Sequence, residues 1–127
     1  ATYMWDMLGG GFPVDPVLVE MRAMGLTPPR PPQMEASRLE ALRGLWTGAG
    51  LEAVETREIA VRRTFAHFDD FWMTQLMFPS VAPVVTAMAA GDVETLKNRV
   101  RAALPADGEG RITYGARAHA IKGHLPK

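Results

Sequence analysis

Cysteine is absent from the 127 residues. That removes disulfide frameworks, thiolate nucleophiles and sulfur-ligated metals, and it suits a cytoplasmic protein. Net charge is absent too, since 14 basic residues balance 14 acidic ones. Without a basic excess there is no electrostatic footprint for nucleic acid. No apolar run reaches the length of a membrane span, and residues 1–15 lack the charged start and apolar core of a secretory signal. His67, His119 and His124 share no helical ligand spacing and have no cysteine companions, so no metal site is expected. Ser37 and Ser80 lack a G-x-S-x-G elbow. An initiating methionine is missing as well, and strand-like sequence begins at residue 1, which leads us to expect a piece of a longer chain.

What is present fits one α/β domain, or part of one, with a hydrophobic core. The chain is organised around Leu51 to Trp72, where the β-branched residues Val54, Thr56, Ile59, Val61 and Thr64 form a strand. That strand delivers an aromatic helix beginning near His67. Its natural partner is Arg111 to His124, in which Ile112, Tyr114, Ala116, Ala118 and Ala120 share one face at period two. Helices but no clear strand lie between the two, so antiparallel pairing is expected.

Ala1 to Trp5 reads as a further strand, ended by Asp6 and the triplet Gly9-Gly10-Gly11. The triplet lacks G-x-G-x-x-G spacing, so a flexible strand exit is preferred to a phosphate cradle. Asp15 and Pro16 start a helix, with Asp15 as its cap, and Val17, Leu18, Met21 and Met24 face inward until Gly25 stops it. Thr27 to Pro32 carries four prolines and is an extended spacer. Ser37 and Glu40 form a capping-box pattern for a helix with Leu39, Leu42, Trp46 and Ala49 as its buried stripe. Val81 to Ala90 is a short helix, and Asp92 caps another with Val93, Leu96, Val100 and Leu104 inside.

Asp69 or Asp70 caps the helix of Phe68, Phe71, Trp72, Met73, Leu76 and Met77, which is apolar nearly all round. Such a helix needs cover on more than one side, from the core or from a bound apolar molecule, and the sequence does not choose between them. Asp69 and Asp70 point different ways, so they are no carboxylate pair. Arg62 and Arg63 alternate faces of a strand, so at most one meets an anion.

The order of these pieces resembles the C-terminal half of a class I S-adenosylmethionine-dependent methyltransferase, of the ubiquinone/menaquinone-biosynthesis, small-molecule type. The resemblance rests on Tyr3-Met4-Trp5-Asp6 at a strand exit, a helix ending Gly48-Ala49-Gly50-Leu51, the strand Glu52 to Val61, the cluster Phe68 to Trp72 and the strand Arg111 to Lys122. It implies a Rossmann-like sheet packed with about five helices, in which Ala1 to Trp5 is the fifth strand, Leu51 to Phe65 the sixth, and Arg111 to Lys122 the seventh, inserted antiparallel between them. The family's glycine-rich first loop and ribose-binding acidic residue have no match here, so the S-adenosylmethionine site belongs to a full-length parent and this chain alone is expected to be inactive. The substrate side remains.

Ligands of open α/β sheets sit at the carboxyl ends of parallel strands. The resemblance therefore implies that Trp5 and Phe12 flank the mouth of a small-molecule site, that Phe68, Phe71 and Trp72 form a lid, and that Asp6 is the candidate base if the acceptor must lose a proton. A reading of another class is a non-enzymatic ligand-binding or dimerisation module that uses the Phe68 to Phe78 surface. If the chain is a fragment, the apolar Ala1 to Trp5 edge has lost a neighbour, and a homodimer through that edge is expected.

Overall fold

The computed structural model describes all residues, 1–127. Three strands, β1 (Thr2–Trp5), β2 (Glu52–Phe65) and β3 (Ile112–His124), and five α-helices make up the chain. The helices are α1 (Asp15–Ala23), α2 (Leu39–Gly48), α3 (Phe68–Gln75), α4 (Ala82–Ala87) and α5 (Ala90–Ala103), with a 3-10 turn at Met34–Ser37. The sheet has the order β1-β3-β2. β1 runs antiparallel to β3, with Thr2 opposite Ile121 and Trp5 opposite Ala118. On the other side Glu55 reaches Lys122 while Thr64 meets Thr113, so β2 rises as β3 descends. The expected antiparallel pair is therefore present, with β3 in the middle.

The chain forms two compact units. One comprises residues 1–13, 31–61 and 115–127. Its core lies around β3, where Ala118 on one face and His119 and Ile121 are all buried. A single inward stripe of alanines is thus only half of the arrangement. As the central strand, β3 is covered on its opposite face as well, by the segment after β1 and the 3-10 turn.

Ser37 does not cap α2. It is fully buried at the end of the 3-10 turn, its hydroxyl accepts the Met7 N–H at 3.3 Å, and Arg38 takes the N-cap position without a side-chain cap. A tertiary partner has outcompeted the local cap. The stripe of α2 is also narrower than its sequence indicates, since Leu42 is buried while Leu39 and Trp46 are half-buried and Ala49 is exposed. Arg43 turns back from α2 to the Val54 carbonyl and the Thr56 hydroxyl, tying the helix to β2.

The second unit comprises residues 14–30 and 62–114. α1 packs on α5. Val17, Leu18 and Met21 meet a core that includes Leu96 and Val100, and the Glu20–Arg99 ion pair at 2.9 Å closes the edge. Helix α1 begins at Asp15 itself, with buried Val14 as N-cap, and α5 begins at Ala90, with Asp92 in its first turn and Ala89 as N-cap. Both acids sit where they favour the positive end of the helix dipole without closing a side-chain cap. The proline spacer carries no regular structure.

Helix α3 is capped by neither aspartate. His67 is the N-cap, its Nδ1 accepting the Asp70 N–H at 3.3 Å, and Asp69 and Asp70 lie in the first turn. Nor is the helix covered all round. Phe68, Phe71, Trp72 and Gln75 are buried, but Met73 is 63% exposed and Met77, just beyond the helix, 82%.

Candidate functional site

Asp6 follows β1 directly and is 5% exposed. A carboxylate this deep needs compensation, and the structure supplies it from three sides. Arg117 of β3 donates from Nε at 3.0 Å and Nη2 at 2.7 Å to Asp6 Oδ2, and the Gly9 N–H donates to Oδ1 at 2.9 Å. His119 Nε2 stands 3.6 Å from Oδ2. Its Nδ1 lies 2.5 Å from the Ser37 carbonyl, which can only accept, so Nδ1 carries the proton. Arg117 also reaches the Gly9 carbonyl and, from Nε, Glu58 of β2 at 2.7 Å.

Backbone bonds complete the ring: Asp6 N–H to the Arg117 carbonyl, Gly11 N–H to the Asp6 carbonyl, and Arg117 N–H to the Gly11 carbonyl. The loop from Asp6 to Gly11 is thus folded around one arginine.

This explains two members of the glycine triplet. A Cβ on Gly9 would overlap the Asp6 carboxylate, with the Asp6 Cγ at 2.8 Å, and one on Gly11 would stand 2.8 Å from the Arg117 carbonyl oxygen. The glycines are there because the chain passes too close to the ion pair for a side chain, so they form no phosphate cradle.

The electrostatics follow from the contacts. Burial pushes the Asp6 pKa up, but the Arg117 hydrogen bonds, the Gly9 N–H and the charges of His119 and Arg117 outweigh it and hold it below the ordinary value near 3.8. A carboxylate so stabilised is a weak proton acceptor at neutral pH.

In the other unit Phe68, Phe71 and Trp72 are brought together, with Phe65 and Tyr114 added from the strands. Phe71 meets Phe65 edge-on at 5.6 Å and Tyr114 at 5.5 Å, and Phe68 stacks on Trp72 at 6.2 Å. Arg63 covers Phe65 at 4.5 Å and Arg101 covers Phe68 at 4.4 Å. The rings fill one another's space, so within this unit they are core. Gln75, fully buried, donates to the Tyr114 hydroxyl at 3.2 Å while its Oε1 has no protein partner. Burial together with that bond to Gln75 affects Tyr114, where desolvation dominates and raises its pKa.

Trp5 and Phe12 are half-buried and bracket the Asp6–Gly11 loop in sequence. Sequence reasoning missed Arg117, His119 and Gln75. The signal for the first two is in the strand itself, where Arg117 and His119 alternate with Ala116, Ala118 and Ala120. Two strong hydrogen-bonding groups on the second face of a central strand must find partners, and Asp6 is the acid nearest a strand exit. No three His, Cys, Asp or Glu side chains converge on a metal position, and no helix is long and apolar enough to cross a membrane.

Fold and geometry together define an α/β chain with a three-stranded antiparallel sheet and an arginine-centred loop. No protein-family model and no curated protein matches it.

Proposed function

We propose that this chain is the C-terminal, substrate-side part of a class I S-adenosylmethionine-dependent methyltransferase that acts on a small, largely apolar acceptor. One observation carries the reading: β3 lies antiparallel between β1 and β2, which themselves point the same way. That is the 5-7-6 order and orientation which the resemblance implies for the last three strands of such a sheet. Helices between β1 and β2, and again between β2 and β3, support it further.

The residues present do not fit the cofactor itself. The one glycine cluster is folded against Asp6 and Arg117 and leaves no cradle, so S-adenosylmethionine belongs to the longer parent and no step is derived through it. This chain's share is to bind and orient the acceptor and to exclude water. Trp5 and Phe12 flank the mouth, held by the loop between them. Asp6 is assigned as the anchor of that loop and not as the base, because its lone pairs are committed to Arg117 and Gly9. Its place at the end of β1 is where the resemblance puts the substrate mouth.

Labelled S-adenosylmethionine, presented with a panel of small apolar acceptors to the protein as its source cell makes it, tests the reading. Transfer of the methyl group to an acceptor is expected. Failure with every acceptor overturns it.

A further inference from the structure

We propose that Arg117 is a positioning residue, whose guanidinium latches the Asp6–Gly11 loop so that the loop opens as a unit when the latch is loosened while β3 keeps its pairing. The latch is unusually concentrated. One side chain holds the Asp6 carboxylate through two nitrogens and the Gly9 carbonyl through Nη2, and is itself held from outside by Glu58.

Two backbone bonds fix the ends of the loop to β3, from Asp6 N–H to the Arg117 carbonyl and from Arg117 N–H to the Gly11 carbonyl, and few other contacts tie down the stretch between them. Its amides at Met7, Gly9 and Gly11 bond to the Ser37 hydroxyl, the Asp6 carboxylate and the Asp6 carbonyl. Two of those three partners belong to the residue that Arg117 grips. Met7 and Leu8 are half-buried and Gly9 and Gly10 exposed, so no buried apolar side chain anchors the tip. Arg117 is 34% exposed at its side chain, which leaves water a route to the pair when the fork is disturbed.

Lysine cannot reproduce the fork. Its single nitrogen ends one bond short of Nη2, and it cannot supply the Nε contacts to Asp6 and Glu58 together with the Nη2 contacts to Asp6 and Gly9. Arg117→Lys therefore keeps the charge and loses the latch. Because the loop joins Trp5 to Phe12, the consequence for an acceptor rests on the functional reading above.

Hydrogen exchange on the protein as its source cell makes it, wild type against Arg117→Lys, separates the possibilities. The Gly9 and Gly11 amides are expected to exchange roughly tenfold faster or more, with the β3 amides of His119 and Ile121 unchanged. Equal exchange in the loop overturns the proposal. Acceleration throughout β3 overturns it too, because Arg117 would then serve the fold as a whole. Should Arg117→Lys not fold, Glu58→Gln loosens the arginine from its solvent side without baring a buried charge, and a smaller acceleration confined to the loop is expected. If the protein methylates an acceptor, Arg117→Lys should raise the acceptor KM roughly tenfold with little change in kcat. If it methylates nothing, the functional reading fails and the exchange pattern still decides the latch.

Discussion

Asp6 and Arg117 lie 111 positions apart in sequence, and each makes the other tolerable. Removing the cation alone strands a buried carboxylate. Arg117→Met should lower the urea midpoint clearly, because it leaves the buried Asp6 carboxylate without its cation. The double variant Asp6→Asn, Arg117→Met should lose clearly less than Arg117→Met. A protein in which both lose the same amount would not be relying on the pair. The pH dependence has a definite sign. Since the Asp6 pKa is lowered by folding, the unfolded chain binds more protons in acid, and the pair's contribution is complete above the ordinary value near 3.8 and disappears as pH falls through the folded value. Asp107, lowered in the same direction by Arg111, adds to the slope. Asp6→Asn should therefore flatten the acid fall of the urea midpoint without abolishing it. From the sequence Asp6 was visible only as a strand-exit residue and candidate base. Its partner was hidden because register, which alone brings residue 117 beside residue 6, is a tertiary property.

Helices and strands were far more legible than their ends. All three strands and all five helices lie where periodicity and breakers put them, because hydrophobic spacing carries that signal directly. The caps failed one after another at Ser37, Asp69, Asp70, Asp15 and Asp92. Each is a residue type suited to capping, but where the chain turns into the core the decision went to other contacts, such as the buried Ser37 hydroxyl accepting from Met7. The aromatic helix shows the same limit. Its sequence left core and ligand wall equally open, and the ring contacts decide for core on the Phe68, Phe71 and Trp72 side. Phe71→Ala should accordingly cost about 3–5 kcal/mol by thermal or urea unfolding. Met73→Ala, on the exposed side of α3, should stay within about 0.5 kcal/mol. Comparable losses for both would mean that the exposed side is covered in solution.

At the scale of the whole chain, the expected antiparallel pair became a three-stranded sheet with β3 at its centre and β1 and β2 as its edges. The sheet order supports the methyltransferase reading, and it leaves the outer edge of β1 bonded to no strand of these 127 residues. The chain by itself should pair that edge with a second copy and run as a dimer in light scattering at high concentration. A monomer there would contradict the edge argument while leaving the sheet untouched. The central claim is tested most directly by calorimetric titration of S-adenosylmethionine into the protein as its source cell makes it, with this 127-residue chain alone as the comparison. The account predicts saturable one-site binding to the former and none to the latter. Absence of binding to the former, or binding to the chain alone, would contradict it.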